Sequence, residues 1–274
     1  MTISIPDTLN VNNSEKYIMS IRLRPDGFSF SAYNPEEAQS FFFRDVEFDQ
    51  AIPYKQSIKE LFFSNDCLVW NYKRTKVLCV TGQYTLAPNQ YIIDRKRSDL
   101  LDYNFSAPEK RCLSNTLDDE QAELIFAIND DVYDFCSRSL TNPVFIHHMT
   151  SQLIMLKKQC RSERHSHMFA TVRRSMVDIC CFNDNRLLFA NTFTCNQPSD
   201  FLYYLCYVWK QVGMNQLTDK LSISGDAAVT GRAMQPIHSF IKHVDNVEIP
   251  AKAYYIGGEI LQAPIDLILM SVCE

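Results

Sequence analysis

Glycine is scarce in this chain, seven residues in 274. No Walker or dinucleotide fingerprint is present, so the glycine-rich phosphate loops are excluded. No Gly-x-Ser-x-Gly occurs, which removes the hydrolase nucleophile elbow. The ten cysteines include no C-x-x-C pair, leaving no ribbon-type zinc or thioredoxin-like redox motif. Basic residues are not in excess, 27 Lys and Arg against 32 Asp and Glu for a formal charge of -5, and that balance predicts neither nucleic-acid nor anionic-membrane binding. No run approaches the roughly 18 apolar residues of a spanning helix. The opening MTISIPDTLNVNNSEKY lacks a basic n-region followed by an apolar h-region. We therefore expect a cytoplasmic chain with reduced thiols and no membrane insertion.

What is present is ordinary globular material, 46% hydrophobic and 22% charged, in a length that suits two domains. The organising stretch is Met168–Phe193, MFATVRRSMVDICCFNDNRLLFANTF. Its apolar residues alternate through Phe169–Val172, Met176–Phe182 and Leu187–Phe193, with Asn183-Asp184-Asn185 as a turn that tolerates left-handed backbone. Tyr17–Phe48 has the same grammar: a strand over Tyr17–Leu23, a turn at Pro25-Asp26-Gly27, a strand over Phe28–Tyr33 and a third over Ser40–Phe48, with a bulge expected near Arg44-Asp45. Cys180 and Cys181 sit in mid-strand, where a thiol behaves as a small inert hydrophobe.

The order of elements continues in the same way in both parts. In the first, Pro53–Ser64 reads as a helix, Cys67–Tyr72 and Lys76–Thr81 as strands, and Asn89–Tyr103 contains a charged helix. Glu123–Ile128 and Val132–Cys136 read as strands across Asn129-Asp130-Asp131, Val144–Ile146 as another, and His147–Cys160 as a helix. In the second, Pro198–Val212 is a helix capped by Asn196 or Ser199 and stopped at Gly213. Leu221–Ser224 is a strand, Met234–His243 a helix, Val247–Ile249 a strand, and Pro264–Val272 a final buried helix or strand. The polar connection at 161–167 marks the domain boundary. The expected division is a lead-in over 1–16, a first subdomain over 17–163 and a second over 164–274.

A three-stranded meander followed by helix, strand and helix, written twice, resembles the duplicated ribonuclease H-like fold of the actin-like ATPase superfamily. That superfamily includes actin, sugar kinases, heat-shock chaperones and the pilus-assembly protein PilM. The opening SIRLRPDGFSFS is similar to that of a bacterial domain-of-unknown-function family with this architecture. The resemblance implies an α/β protein with mixed sheets, two ribonuclease H-like subdomains and actin-like ATPase architecture. In active members a hairpin turn in each half cradles the nucleotide phosphates, and an acidic residue followed by glycine organises magnesium there.

The matching places in this chain read differently. The first hairpin is Ile21-Arg22-Leu23-Arg24-Pro25-Asp26-Gly27, with arginine in place of the carboxylate and a proline that lacks an N–H. The second is Arg173-Arg174-Ser175, with neither acid nor glycine, and Asp178 lies further along the return strand. Ser224-Gly225-Asp226 resembles the strand-to-glycine motif placed near adenosine, and serves equally as a strand stop and helix cap, with Asp226 or Thr230 capping. Arg22, Arg24, Arg173 and Arg174 could form an anion site, since guanidinium forks match phosphate, or could serve as surface residues and ion pairs. His147-His148 and Cys160 with His165 and His167 lack zinc-site spacing. Tyr203, Tyr204, Tyr207 and Trp209 have no interleaved basic residues and read as packing rather than base stacking.

The expectation is thus a catalytically silent adaptor or scaffold that binds a protein or peptide, with no catalytic residue, metal or cofactor. The alternative is an ATP-binding protein, with magnesium, whose phosphate site is rebuilt from arginines.

Overall fold

The computed structural model describes residues 2–92, 96–160, 165–225 and 227–273. The chain divides into two compact units, Met1–Thr150 with Pro250–Ala263 and Ser151–Ile249 with Pro264–Glu274.

The first unit begins with a lead-in that docks: Ile3 and Leu9 are buried, and the Ile3 N–H donates to the Asn65 side chain. Strands β1 (Ile18–Arg24), β2 (Gly27–Tyr33) and β3 (Phe42–Glu47) form the expected meander, followed by α1 (Tyr54–Phe63) and β4 (Arg74–Cys79). An inserted layer comes next: β5 (Tyr84–Pro88), α2 (Arg97–Asn104), β6 (Arg111–Leu117) and β7 (Ala122–Ile128). The order β5-β7-β6 makes a separate three-stranded sheet, cored by Ala87, Leu101, Ile125 and Ala127. Helix α3 (Asp130–Ser139) and β8 (Pro143–His147) follow, and α4 (His148–Gln159) starts here and belongs to the second unit from Ser151 onward. The main sheet runs β3-β2-β1-β4-β8.

The second unit repeats that plan with β9 (His167–Val172), β10 (Met176–Asn183), β11 (Arg186–Thr194), α5 (Pro198–Gln211), β12 (Lys220–Gly225), α6 (Ala227–Phe240) and β13 (His243–Asn246). Its sheet runs β11-β10-β9-β12-β13. In both sheets the first strand is antiparallel to the second and parallel to the fourth. Helix α7 (Ala251–Ile256) belongs to the excursion back to the first unit, and α8 (Ile265–Val272), buried along its whole length, ends the second. One face of the second sheet presents Met168, Ala170, Val177, Ile179, Leu221 and Ile223 to Phe201, Leu205 and Ile237 of α5 and α6. The other, which carries Phe169, Thr171 and Asp178, meets α4 through Gln152. Among the described residues no helix is long and apolar enough to cross a membrane.

Several expectations are corrected. Val132–Cys136 is not a strand but the middle of α3. The Asn129 side chain accepts from the Asp131 and Val132 N–H groups at 3.1 and 3.3 Å, acids fill the first turn, and buried Val132 and Cys136 stand one helical turn apart. Cys67–Tyr72 holds a short 3-10 helix, Asp66–Val69, in place of a strand. The bulge expected at Arg44-Asp45 is absent, since the β2–β3 register is continuous. The polar pair breaks the apolar alternation because Asp45 answers a charge, as described below. A register shift lies instead at Cys181/Phe182. Helix α5 is capped by Gln197 in a capping box, with Asp200 accepting the Asn196 and Gln197 N–H groups at 2.8 and 2.9 Å. Strand β13 precedes the expected Val247–Ile249, and Thr230 lies inside α6. All ten cysteines are free, and Cys206 is exposed.

The cap supplies a test of the α3 assignment. Asn129→Ala lowers unfolding free energy by about 1 kcal/mol, read from the urea midpoint at unchanged slope; no change would contradict the cap.

Candidate functional site

Both hairpins expected to face phosphate carry an arginine at the end of their first strand, Arg24 as the last residue of β1 and Arg173 just after β9, and each is held by its own unit. In the first unit β1 pairs Arg24 with Gly27, so the two-residue turn is Pro25-Asp26 and Gly27 opens β2. The Arg24 Nε donates to Asp26 Oδ1 at 2.8 Å. Its Nη1 donates to the Asp45 carboxylate and to Ser29 Oγ at 3.2 Å, and Nη2 to the Val46 carbonyl at 3.3 Å. Ser29 Oγ in turn donates to Asp45 at 2.5 Å. Burial opposes the charge on Arg24, but Asp45 and Asp26 outweigh it and raise the guanidinium above its ordinary value. Glycine is required at 27 by space: an added Cβ would overlap the Val46 carbonyl and the Arg24 guanidinium. Arg22, two residues back on β1, is buried.

The second hairpin is the more deeply enclosed. The Arg173 N–H donates to the Met176 carbonyl at 2.8 Å and closes a turn through Arg174-Ser175. Its Nη1 donates to Asp178 and its Nη2 to Asp266 of α8 at 3.0 Å. The side chains of Asp178 and Asp266 are 2% and 0% exposed. Asp178 also accepts from Thr192 Oγ1 at 2.8 Å and Gln152 Nε2 at 3.2 Å. Burial again opposes the charge on Arg173, and Asp178 and Asp266 again outweigh it, so the guanidinium stays firmly protonated. Arg174 is exposed.

The two arrangements match with one exchange. Ser29 on β2 faces Asp45 on β3, and Asp178 on β10 faces Thr192 on β11. The hydroxyl and the carboxylate have traded strands, and in each unit the arginine at the end of the first strand reaches the carboxylate.

The structure also brings the third candidate beside the second hairpin. Ser224 and Gly225 of β12 register against Thr171 and Val172, the residues just before Arg173. Thr171 Oγ1 lies 3.0 Å from Ser224 Oγ and 2.9 Å from Gln152 Oε1. Gly225 has φ +110, and an added Cβ there would overlap the Val172 carbonyl, so only glycine fits. Asp226 lies outside the described residues.

Asp266 and Gln152 carried no signal in the sequence. Asp266 sits 93 residues from Arg173 in an apolar helix, where only its being a lone charge among ILMV residues could have marked it. Of the histidines, His147 and His148 lie beside Tyr84 in the first unit. His167 places Nε2 2.8 Å from Ser222 Oγ and Nδ1 3.8 Å from Cys160 Sγ, all three buried. Among the described residues no group of three or more His, Cys, Asp or Glu is arranged to hold a metal ion. Trp209 is core, whereas Tyr203 and Tyr207 are exposed.

Two mixed sheets of one topology define this as an actin-like ATPase fold. A protein of that fold and of unknown function from Bacteroides thetaiotaomicron VPI-5482 is similar at 29% identity and TM-score 0.84, over 97% of this chain and 99% of that one. The model of the family described as "Protein of unknown function (DUF3822)" matches residues 6–244, and the chain belongs to that family. The PilM–PilN type IV pilus biogenesis complex is similar in fold at 11% identity and TM-score 0.53, over 92% and 94% of the two chains. No curated protein sequence matches the chain.

Removing a partner from the buried cluster tests its weight. Asp178→Ala destabilises the protein by about 3–5 kcal/mol, whereas Glu36→Ala, which breaks the exposed pair with Lys73, leaves the urea midpoint unchanged. Equal effects would show that the cluster carries no special load.

Proposed function

We propose that this is a catalytically silent actin-fold protein acting as a cytoplasmic adaptor or scaffold for a protein or peptide partner. The observation that carries the reading is the occupation of both hairpin arginines by carboxylates of the same unit. A magnesium-bound triphosphate needs carboxylates available to the hydrated metal and donors available to the phosphates. Here Asp45 and Asp178 are committed to guanidinium groups, and those guanidinium groups are committed to them. The residues at the hairpins therefore suit a magnesium triphosphate poorly. A protein partner is carried over by analogy from PilM, which is seen in a complex with PilN. Binding through a surface rather than through a nucleotide needs none of the missing acids.

A second reading retains nucleotide. Its support is the register that sets Ser224 and Gly225 beside the Arg173-Arg174 turn. In that reading Ser224, Gly225 and Asp226 take the adenosine, and Arg22, Arg24, Arg173 and Arg174 face the phosphates. Phosphate would then have to displace Asp178 or Asp266 from Arg173.

Calorimetric titration of the pure protein with ATP, with and without magnesium, separates the two. The first reading expects no heat of binding and no turnover; tight magnesium-dependent binding with hydrolysis would end it. The second expects nucleotide to stabilise the fold by about 2.7 kcal/mol at a hundredfold excess over Kd, and Arg173→Ala or Arg22→Ala to abolish the accompanying rise in melting temperature.

A further inference from the structure

The inserted layer has two faces of different character. Alternation sends Ala87, Ile125 and Ala127 to the face that packs on Leu101 of α2, where the layer has a small core of its own. The opposite face carries Tyr84 and Phe126, which pair across β5 and β7, and Asn115 of β6. It meets the main sheet of the first unit at His147, the last residue of edge strand β8. The Tyr84 and Phe126 rings stand 4.6 and 5.2 Å from the His147 ring. The Asn115 side chain accepts the His147 N–H at 2.7 Å and donates to the Phe145 carbonyl at 3.0 Å, so it fills the place of a ladder partner along β8. All three inserted strands thus touch the same residue.

Its ring is fixed in one neutral form by its bonds. The Thr81 carbonyl, 3.0 Å from Nε2, can only accept, so Nε2 carries the proton. Nδ1 accepts the Met149 N–H at 3.3 Å and caps the first turn of α4. A second proton would have to enter at Nδ1, where it would displace that bond and set a cation at the positive end of a twelve-residue helix. The residue is fully buried, which adds the cost of a desolvated charge. The titratable groups set against it are Tyr84 of β5 and His148 of α4, the latter ring 4.3 Å away. His148 Nδ1 donates in turn to the Cys79 carbonyl at 3.3 Å, at the end of β4, where burial pushes the Cys79 thiol up and keeps it uncharged. Strands β6 and β7 present the uncharged Asn115 and Phe126.

We infer that His147 is a proton-operated latch. Neutral, it holds the inserted layer to the main sheet; protonated, it releases the layer while the core on α2 stays closed. With the layer released the imidazole is solvated and takes a proton at its ordinary value, about pH 6.5, whereas the docked ring has no place for one. The docked state therefore binds fewer protons, is favoured above that pH and is lost as the pH falls below it. The inference stands apart from the nucleotide question and rests on neither reading above.

Hydrogen exchange of the full chain tests it, read by mass spectrometry at about pH 7.5 and about pH 5.5 and corrected for the intrinsic pH dependence of amide exchange. One unit below the free imidazole value, the peptide over Phe145–Thr150, whose His147 and Met149 amides the latch holds, exchanges about tenfold faster. The β6–β7 ladder and the β9–β10 ladder of the second unit keep their rates. His147→Asn and His147→Gln each keep one of the ring's two hydrogen bonds and cannot be protonated; in both, the two pH values give the same rate. A wild-type peptide that exchanges equally at both pH values, a difference that persists in both His147 variants, or a loss of protection spread evenly over the two units would each overturn the inference.

Discussion

A guanidinium withdrawn from water must find a counter-charge and acceptors for its N–H groups, and in each unit that requirement is met at the same place. The arginine at the end of the first strand leans across the sheet to a carboxylate steadied by a hydroxyl on the neighbouring strand. The consequences spread outward from there. In the first unit, the close approach of the Val46 carbonyl and the guanidinium dictates glycine at the start of β2. In the second, Asp178 links Arg173 to Gln152 of α4, and Arg173 links it to Asp266 of α8. Two helices distant in sequence are thereby keyed to one turn by charge as well as by burial. Such clusters are costly to break rather than strongly favourable to make.

The same geometry bears on what the fold can do. A hairpin loop that cradles phosphate needs free backbone donors and an unengaged carboxylate nearby. Proline stands in the first turn, an arginine and a serine form the second, and the nearest acids are already balanced. Gly225, packed against the Val172 carbonyl, is explained by strand-to-strand contact and needs no ligand to account for it.

Much of the fold was legible in the sequence because its strongest signals are local. Both meanders follow from two-residue alternation, and Asp184 and Asn185, each at positive φ, form the turn their side chains favour. The inserted sheet was only partly legible. Strand β7 is apolar and buried, but β5 ends in Pro88 and β6 alternates polar and apolar residues without a strong hydrophobic face, as edge strands often do. The stretch Val132–Cys136 reads as a strand by composition and becomes helix through the Asn129 cap, a single side chain that outweighs weak β-propensity. At the hairpins the arginines and the missing acids were visible directly. Their partners were not, because Asp45, Asp178 and Asp266 are brought to them by cross-strand register and by a helix from the far end of the chain.

The exchange of hydroxyl and carboxylate between strands makes the two members of each pair interdependent. To convert the pattern of one half into that of the other takes two changes, and either order passes through an awkward state. One intermediate has carboxylates face to face across the ladder; the other has two hydroxyls and strips the arginine of its cross-strand anion. Sequence drift at Ser29 and Asp45, or at Asp178 and Thr192, is therefore coupled in pairs. The two positions of each pair thus act as one unit: the residue suited to one depends on the residue held at the other.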